Sequence, residues 1–509
     1  MDEETYRKSA PIDPGYRRFL ALSGLIFLLL VLRRPDAITN PQFWAEDGPV
    51  FFFGQITHTG LSALFVPYAG YLLVVPRLVA AFAALFPASS VPLIFNLFAF
   101  AIAAFCCSLF SLNWYRYLLQ SDWLRAMVCV VIATAVQADE LVGTITCIHC
   151  FLFLSALLIL LQPAEVYEGR FPWPGYLSVI LGVLSALSEP LVVLLLPLSI
   201  WFTVRRKGRA SLAPAAIMAA AVVQIAVFLL VPFAGNSRPS TSLGELIASC
   251  VNGISYHVVL SPLVGIRLSR SIFKRALNGG GFAILVLLGS WLTYLWWRGN
   301  TTRRWIVAVI SYLTLASVAL AIAGRSLAKY FSGAGGIMTW RGERYFFPGA
   351  CLFVYLIALS IEKLVPARRK WGQAIVLVAV FAFGMFWNFR VIPFTDYHWD
   401  LYAPMIDRWL AAKRSGIPVP SLSIPINPLL WMVDLKGSRD VDPPPSEGQL
   451  IRKPGAPPEE PKVYLVEGGR KRWIVDGLWI QTHGYQWPED VHTIPSEQFS
   501  AIPMGPPIQ

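Results

Sequence analysis

The chain has 509 residues, of which 56% are hydrophobic and only 14% are charged, with a formal net charge of +12. A soluble domain usually has about 25% charged residues, so this composition excludes an ordinary soluble protein. Apolar runs recur from residue 19 to residue 390, which predicts a polytopic membrane protein. Basic residues at membrane edges account for the positive charge, so no nucleic-acid partner is expected.

The apolar runs predict an all-α membrane domain with about eleven transmembrane helices. The first run ends at Arg33-Arg34 and has no small-residue cleavage site, so it is expected to be a retained helix. The run 176–204 is expected to break at Ser188-Glu189-Pro190, because proline disrupts a helix and a carboxylate disfavours hydrocarbon. The predicted spans are 19–35, 91–113, 124–138, 148–163, 176–188, 189–204, 212–233, 281–297, 305–324, 345–363 and 371–390.

The basic clusters predict the orientation, because short cytoplasmic loops are enriched in lysine and arginine. They place the N-terminus in the cytoplasm and the C-terminus outside. This assignment requires 68–87 and 243–266 to lie on the outer face as interfacial helices. Arg33, Arg34 and the basic stretch 267–275 do not fit it. The clusters are Arg7-Lys8, Arg17-Arg18, Arg116 with Arg125, 205–209, 298–304 and 367–370.

Two adjacent acids follow the first helix in the stretch FWAEDGPVFFF, residues 43–53. In the predicted topology, Glu46 and Asp47 lie in the first external loop, beside the membrane. Carboxylates at this position stabilise the start of a helix near Pro49, and this is one interpretation of both acids. The other interpretation is chemical: a carboxylate can accept the proton of a sugar hydroxyl that attacks a donor.

The arrangement resembles the GT-C superfamily of integral membrane glycosyltransferases. The resemblance covers roughly residues 15–435 and depends on three features. These are the acidic pair in the first external loop with interfacial helices after it, the further acids Asp139 and Glu140 in the next external loop, and the late GERYFF motif at 342–347. The resemblance implies transfer of a sugar, with inversion, from a polyprenyl-phosphate donor at the outer face.

The resemblance also implies roles for individual residues. Asp47 is the expected general base, with Glu46 and Asp139 assisting. External cations are expected to bind the lipid phosphate, although membrane-edge arginines also bind headgroups without any catalytic role. Two alternatives stay open: Asp139 and Glu140 are solvated loop acids, and His149 has a structural role. The expected substrate-binding residues are Arg344, Arg341, Tyr345, Glu140, His149, Arg325 and Lys329.

No metal is assigned from the sequence. Carboxylates such as Asp47 and Asp139 suit Mg²⁺ or Mn²⁺, but many GT-C enzymes that use lipid-phosphate sugars are metal-independent. Cys147 and Cys150 flank His149, which suggests zinc. That interpretation is rejected, because structural zinc requires four ligands and the sequence has no second ligand pair at suitable spacing. A disulfide between these cysteines has poor geometry on a helix.

The residues after 390 differ from the membrane domain, 1–390. Residues 391–436 predict an external cap segment with a helix near 400–414 and a short strand. Residues 437–461 are rich in proline and predict a linker. Residues 462–509 predict a small β-rich module with a hairpin around Glu467-Gly468-Gly469. This module resembles YLVEGGRKRWI repeats of bacterial cell-surface proteins.

The expected function is that of a glycosyltransferase in a bacterial inner membrane. It would move a sugar from a polyprenyl-phosphate donor to an envelope glycan or glycolipid, in contact with membrane lipids. Two alternatives stay open: a transporter or flippase of lipid-linked glycans, and a non-catalytic scaffold that displays the C-terminal module. A flippase predicts internal repeats and a site at the membrane midplane, and neither is evident in the sequence.

Overall fold

The structure is a computed structural model that describes residues 14–57, 60–137, 139–168, 173–231, 242–275, 280–324, 342–366, 370–437, 445–453, 462–494 and 496–508. Most of these residues are helical, and strands occur only after residue 420 of the described chain. The predicted class, a helical membrane domain followed by a small β-rich region, is therefore confirmed at this level.

The N-terminal part is a bundle of helices. Its helices are α1 Tyr16–Arg33, α2 Asp36–Thr39, α3 Phe53–Thr57, α4 Val74–Ala83, α5 Val91–Ser108, α6 Asp122–Ala135, α7 Ile148–Leu160, α8 Glu165–Glu168, α9 Trp173–Ala186, α10 Leu196–Arg205, α11 Leu212–Leu230, α12 Leu243–Gly253, α13 Ser261–Arg275, α14 Gly280–Arg298, α15 Thr301–Gly324, α16 Phe347–Leu364 and α17 Lys370–Trp387.

Within the described residues, six helices are long and apolar enough to cross a membrane. They are Ala88–Ser111, Gly208–Leu230, Leu243–Ile272, Gly280–Arg298, Thr301–Ala323 and Phe347–Leu364. The prediction of about eleven spans is therefore not confirmed. Several of the other predicted spans are shorter helices, including α7 with 13 residues and α9 with 14. Leucines of α1 such as Leu20 and Leu28 are exposed, as expected of a face that contacts lipid.

The break predicted in the run 176–204 is confirmed. Helix α9 ends at Ala186, and a 3₁₀ segment, Pro190–Leu195, precedes α10. Glu189 caps this segment, because its Oε1 accepts a hydrogen bond of 2.8 Å from the backbone N–H of Leu191. Helix α4 has only 10 residues and rises about 15 Å, which is too short to span a bilayer. Its length agrees with the interfacial helix expected for 68–87.

The segment 243–272 is apolar enough to span, although the sequence predicts an interfacial helix there. Its contacts place residues 253–266 along one end of the bundle. Gly253 packs on Phe346, which precedes α16, and the N–H of Ile266 donates 2.8 Å to Oδ1 of Asn388, which follows α17. Because α16 and α17 are consecutive and closely connected, these two contacts lie at the same end. Residues 253–266 therefore stay at this end of the bundle.

Arg33 does not fit the enrichment of basic residues in cytoplasmic loops, and its contacts explain why. It is 1% exposed at the end of α1, and its guanidinium donates to the carbonyls of Val136 at 3.2 Å, Asn388 at 2.8 Å and Phe389 at 2.9 Å. These carbonyls follow the last turns of α6 and α17, where helices leave acceptors without intrahelical partners. Arg33 therefore joins three helix ends, and its position carries no information about the cytoplasmic side.

The residues after α17 form a cap and a module. The cap consists of α18, Trp399–Arg414, and an antiparallel hairpin of β1, Leu422–Ile426, with β2, Trp431–Leu435. The helix predicted near 400–414 and the following strand are thus confirmed. The module has a sheet in the order β5-β4-β3-β6 and two short helices. Its elements are β3 Leu450–Arg452, β4 Tyr464–Glu467, β5 Arg470–Trp473, α19 Leu478–Thr482, β6 Val491–Thr493 and α20 Ser496–Ala501.

The hairpin predicted around Glu467-Gly468-Gly469 is confirmed by the antiparallel pairing of β4 and β5. The linker predicted for 437–461 is wrong in part. Residues 450–452 form β3, which pairs with β4 on one side and with β6 on the other. The reason is that Leu450 and Ile451 are fully buried in the module's small core, so the module begins before residue 462.

Candidate functional site

The acidic pair lies in a tight, buried turn. Ala45–Asp47 form one 3₁₀ turn and Gly48–Phe52 continue as a π-helical turn, with Pro49 near its start. Glu46 is 6% exposed and Asp47 is 1% exposed. Neither carboxylate accepts a hydrogen bond as a side-chain cap of this turn in the described structure. The capping interpretation is therefore not supported for either acid.

Asp47 binds the loop between α6 and α7. Its Oδ1 accepts hydrogen bonds from the backbone N–H of Thr146 at 2.9 Å and from the Thr146 hydroxyl, and its Oδ2 accepts from the N–H of Ile145 at 3.3 Å. Burial raises the pKa of Asp47 to about 7, although these donors lower it and Glu46 raises it further. A carboxylate has about four lone-pair positions, so three donors leave one for a substrate proton.

Glu46 faces a different set of groups. Its Oε1 accepts a hydrogen bond of 2.9 Å from the hydroxyl of Tyr68 and lies 4.0 Å from Nη1 of Arg344. Its Oε2 is buried and has no hydrogen-bond partner among the residues that the structure describes. A buried oxygen without a donor is costly, so it commonly marks a position that a ligand or water occupies.

The positively charged guanidinium of Arg344 lies near Glu46. It lies in the 3₁₀ turn Glu343–Tyr345 that precedes α16. Its Nε lies 3.7 Å from Oε2 of Glu140, and its Nη2 donates to the hydroxyl of Tyr345 at 3.3 Å. Both carboxylate distances are long for an ion pair, so the guanidinium can still bind another anion bidentately. Glu46, Glu140, Arg344 and Tyr345, all predicted site residues, therefore lie together.

His149 and Glu189 form a second pair nearby. His149 opens α7, and its Nδ1 lies 2.6 Å from Oε2 of Glu189. The thiol of Cys150 donates to the backbone oxygen of Arg344 at 3.6 Å, which connects this pair to the Arg344 turn. The sequence suggested His149 as a site residue, but the contact with Glu189 joins residues that are distant in the chain and could not be predicted.

The remaining predicted residues lie elsewhere or outside the description. Asp139 is partly exposed and interacts electrostatically with Arg33, and its backbone oxygen accepts from Arg34. Asp139 therefore lies near the helix ends that Arg33 connects. Arg325, Lys329 and Arg341 lie outside the described residues. Tyr68 and Thr146 were missed, because a tyrosine and a threonine in apolar loops give no local signal of a partner carboxylate.

The cap holds the acidic turn in place. The N–H of Asn427, which lies between β1 and β2, donates to the oxygen of Phe43 at 3.2 Å, and Ala45 N–H donates to the oxygen of Asn427. A side chain at Gly48 would meet Val433 of β2 at 2.6 Å. The cap hairpin therefore lies directly on the turn that carries the two acids.

An apolar groove lies in the bundle between α7, α15 and α16. Its volume is about 50 Å³, and its lining includes Leu158, Ile310 and Leu352. The first turns of α7 and α16 pack together through Phe151 and Phe347, whose ring centroids are 4.6 Å apart. Both helices start at the site, whereas Leu158 in the groove lies near the end of α7, so the groove is toward the opposite end of this helix from the acids.

A scan against protein-family models finds no match for this chain, and a comparison with curated proteins finds no similar sequence. The apolar helices define the class as an integral membrane protein.

Proposed function

We propose that this protein is a membrane glycosyltransferase of the GT-C type. It would move a sugar from a polyprenyl-phosphate donor to an envelope glycan or glycolipid at the membrane surface. The observation that carries the proposal is the buried Glu46–Asp47 pair beside Arg344. Carboxylates that can accept a proton and a cation that can bind phosphate are the two groups that such a transfer needs.

In this proposal Asp47 is the general base. It accepts the proton of the acceptor hydroxyl while that oxygen bonds to the anomeric carbon and the bond to the lipid phosphate breaks. Its raised pKa suits the role, because a base with a pKa near neutral pH is deprotonated in a large fraction of molecules and still binds a proton well. Glu46 supplies an unoccupied buried oxygen that can orient the acceptor.

Arg344 stabilises the negative charge that develops on the departing phosphate. Its loose contacts with Glu46 and Glu140 hold the guanidinium without neutralising it fully. A flippase of lipid-linked glycans would also use the cation, but it does not need two buried acids.

The test is sugar transfer in isolated membranes with a panel of labelled polyprenyl-phosphate sugars. We expect transfer with at least one donor, and we expect Asp47→Asn to reduce it by about a hundred- to ten-thousand-fold. Arg344→Ala should weaken donor binding. The matched control is Asp400→Asn, which changes an exposed acid at the start of α18. Transfer that survives Asp47→Asn would remove the proposed base, and no transfer with any donor would favour the flippase or the scaffold.

A further inference from the structure

Three potential metal ligands meet at the break before the Pro190 segment. The Nδ1 of His149, the Sγ of Cys150 and a carboxylate oxygen of Glu189 all lie within 4.8 Å of one another. Cys150 is 2% exposed and Glu189 is 1% exposed. His149 and Cys150 lie in the first turn of α7, and Glu189 lies in the break between α9 and α10, immediately before Pro190. The fold therefore brings the three ligands together from two distant parts of the chain.

We propose that His149, Cys150 and Glu189 bind a transition-metal ion, with Zn²⁺ as the best match. The proposal does not depend on the glycosyltransferase function. A nitrogen, a sulfur and an oxygen ligand suit zinc, which is a borderline-soft ion, whereas Mg²⁺ and Mn²⁺ prefer oxygen ligands alone. This set is therefore distinct from a magnesium or manganese site at Asp47 and Asp139.

The distances between the ligand atoms are close to those of a tetrahedral zinc site. Bonds of about 2.0–2.3 Å place tetrahedral ligand atoms roughly 3.3–3.8 Å apart. The Sγ of Cys150 already lies 3.7 Å from Nδ1 of His149. The 2.6 Å contact between Nδ1 of His149 and Oε2 of Glu189 is a hydrogen bond, and it needs to open by about 0.7 Å to admit zinc.

The charges also balance. A thiolate and a carboxylate together neutralise the two charges of Zn²⁺, so the loaded site is neutral overall and tolerates burial. Binding releases the proton of the Cys150 thiol, and Nδ1 of His149 coordinates the ion in place of its hydrogen bond to Glu189. The other oxygen of Glu189 accepts from Leu191 N–H at 2.8 Å, which fixes the carboxylate for coordination.

Three protein ligands leave a fourth coordination position for water or a substrate group, as in catalytic zinc sites. The same thiol contacts the backbone oxygen of Arg344 at 3.6 Å. Metal binding would therefore alter the position of the turn that carries Arg344.

The test measures metal binding by the full chain, purified in detergent without a polyhistidine tag. The protein is stripped with a chelator, loaded with Co²⁺ or Zn²⁺, and passed through a desalting column. We expect about one ion per chain by mass spectrometry, and a thiolate-to-cobalt absorption band with tetrahedral visible bands. Cys150→Ser should abolish the thiolate band, and Glu189→Gln should lower affinity by at least about tenfold.

The matched control is Cys147→Ser, because Cys147 is an equally buried free cysteine outside the ligand set. It should bind metal as the wild type does. The proposal is wrong if the wild type retains less than about a tenth of an ion per chain, or if the two cysteine variants bind alike. The wild-type cobalt spectrum decides the question even if Cys150→Ser fails to fold.

Discussion

The pKa of Asp47 leads to a prediction about stability. This pKa is about 7 in the folded protein, against 3.8 for an unperturbed aspartate. At about 1.4 kcal/mol per pKa unit, the folded state prefers the neutral acid by about 4 kcal/mol. Because folding raises the pKa, the folded state binds the proton more tightly than the unfolded state does. The contribution of Asp47 to the free energy of unfolding is therefore greatest below about pH 4 and is lost as the pH rises through about 7.

Asp47→Asn removes this titration. The amide still accepts from Thr146 but no longer accepts from Ile145 N–H, a loss of about 1 kcal/mol. Above about pH 7 the variant should be more stable than the wild type by about 3 kcal/mol, and below about pH 4 slightly less stable. The same change should remove activity, so the two effects have opposite signs at neutral pH.

The measurement is denaturant or thermal unfolding in detergent across about pH 5 to 8, followed by tryptophan fluorescence. Over this range the wild type should lose about 3 kcal/mol of stability that Asp47→Asn does not lose. The control is Asp139→Asn, which changes a partly exposed acid and should keep the wild-type slope. Equal slopes for Asp47→Asn and the wild type would refute the reasoning.

Three further predictions concern the surroundings of the site. Tyr68→Phe removes the 2.9 Å hydrogen bond to the buried Glu46, and we expect roughly a tenfold or smaller loss of transfer and a loss of about 1–3 kcal/mol of stability. Gly48→Ala places a methyl group 2.6 Å from Val433, which should cost about 1–3 kcal/mol of stability in an unfolding titration. Arg452→Ala breaks a buried 2.7 Å ion pair between the module and the cap, at a cost of about 3–5 kcal/mol, and limited proteolysis should then release the module first. An unchanged proteolytic pattern would contradict this last expectation.

Local sequence patterns predicted a large part of the fold. The break at Glu189, the helix α18 and the β4–β5 hairpin each depend on residues that are adjacent in the chain. Strand β3 was missed, because it has three residues in a proline-rich stretch and gains its partners from β4 and β6. The count of about eleven spans stays a prediction, because apolar runs show where helices occur but not whether they are long enough to cross a membrane, and six helices of the described residues are.

The site was less predictable than the fold. The acids Glu46 and Asp47 were visible in the sequence, but the association of Arg344 with them depended on a family resemblance. The partners Tyr68 and Thr146 bind through hydroxyl and backbone groups that give no pattern. The contact of His149 with Glu189 also needed the fold, and it supplies the third metal ligand that the sequence analysis did not find.

The backbone pairing between Asn427 and residues 43–45 has a consequence for biosynthesis. The acidic turn leaves the ribosome early, whereas the hairpin that covers it is made near the end of the chain. At roughly 5–20 residues per second, the turn would wait about tens of seconds for its cover. The two acids thus become enclosed only when translation is nearly complete. A chain that stops before residue 427 would keep both carboxylates and still leave them open to water.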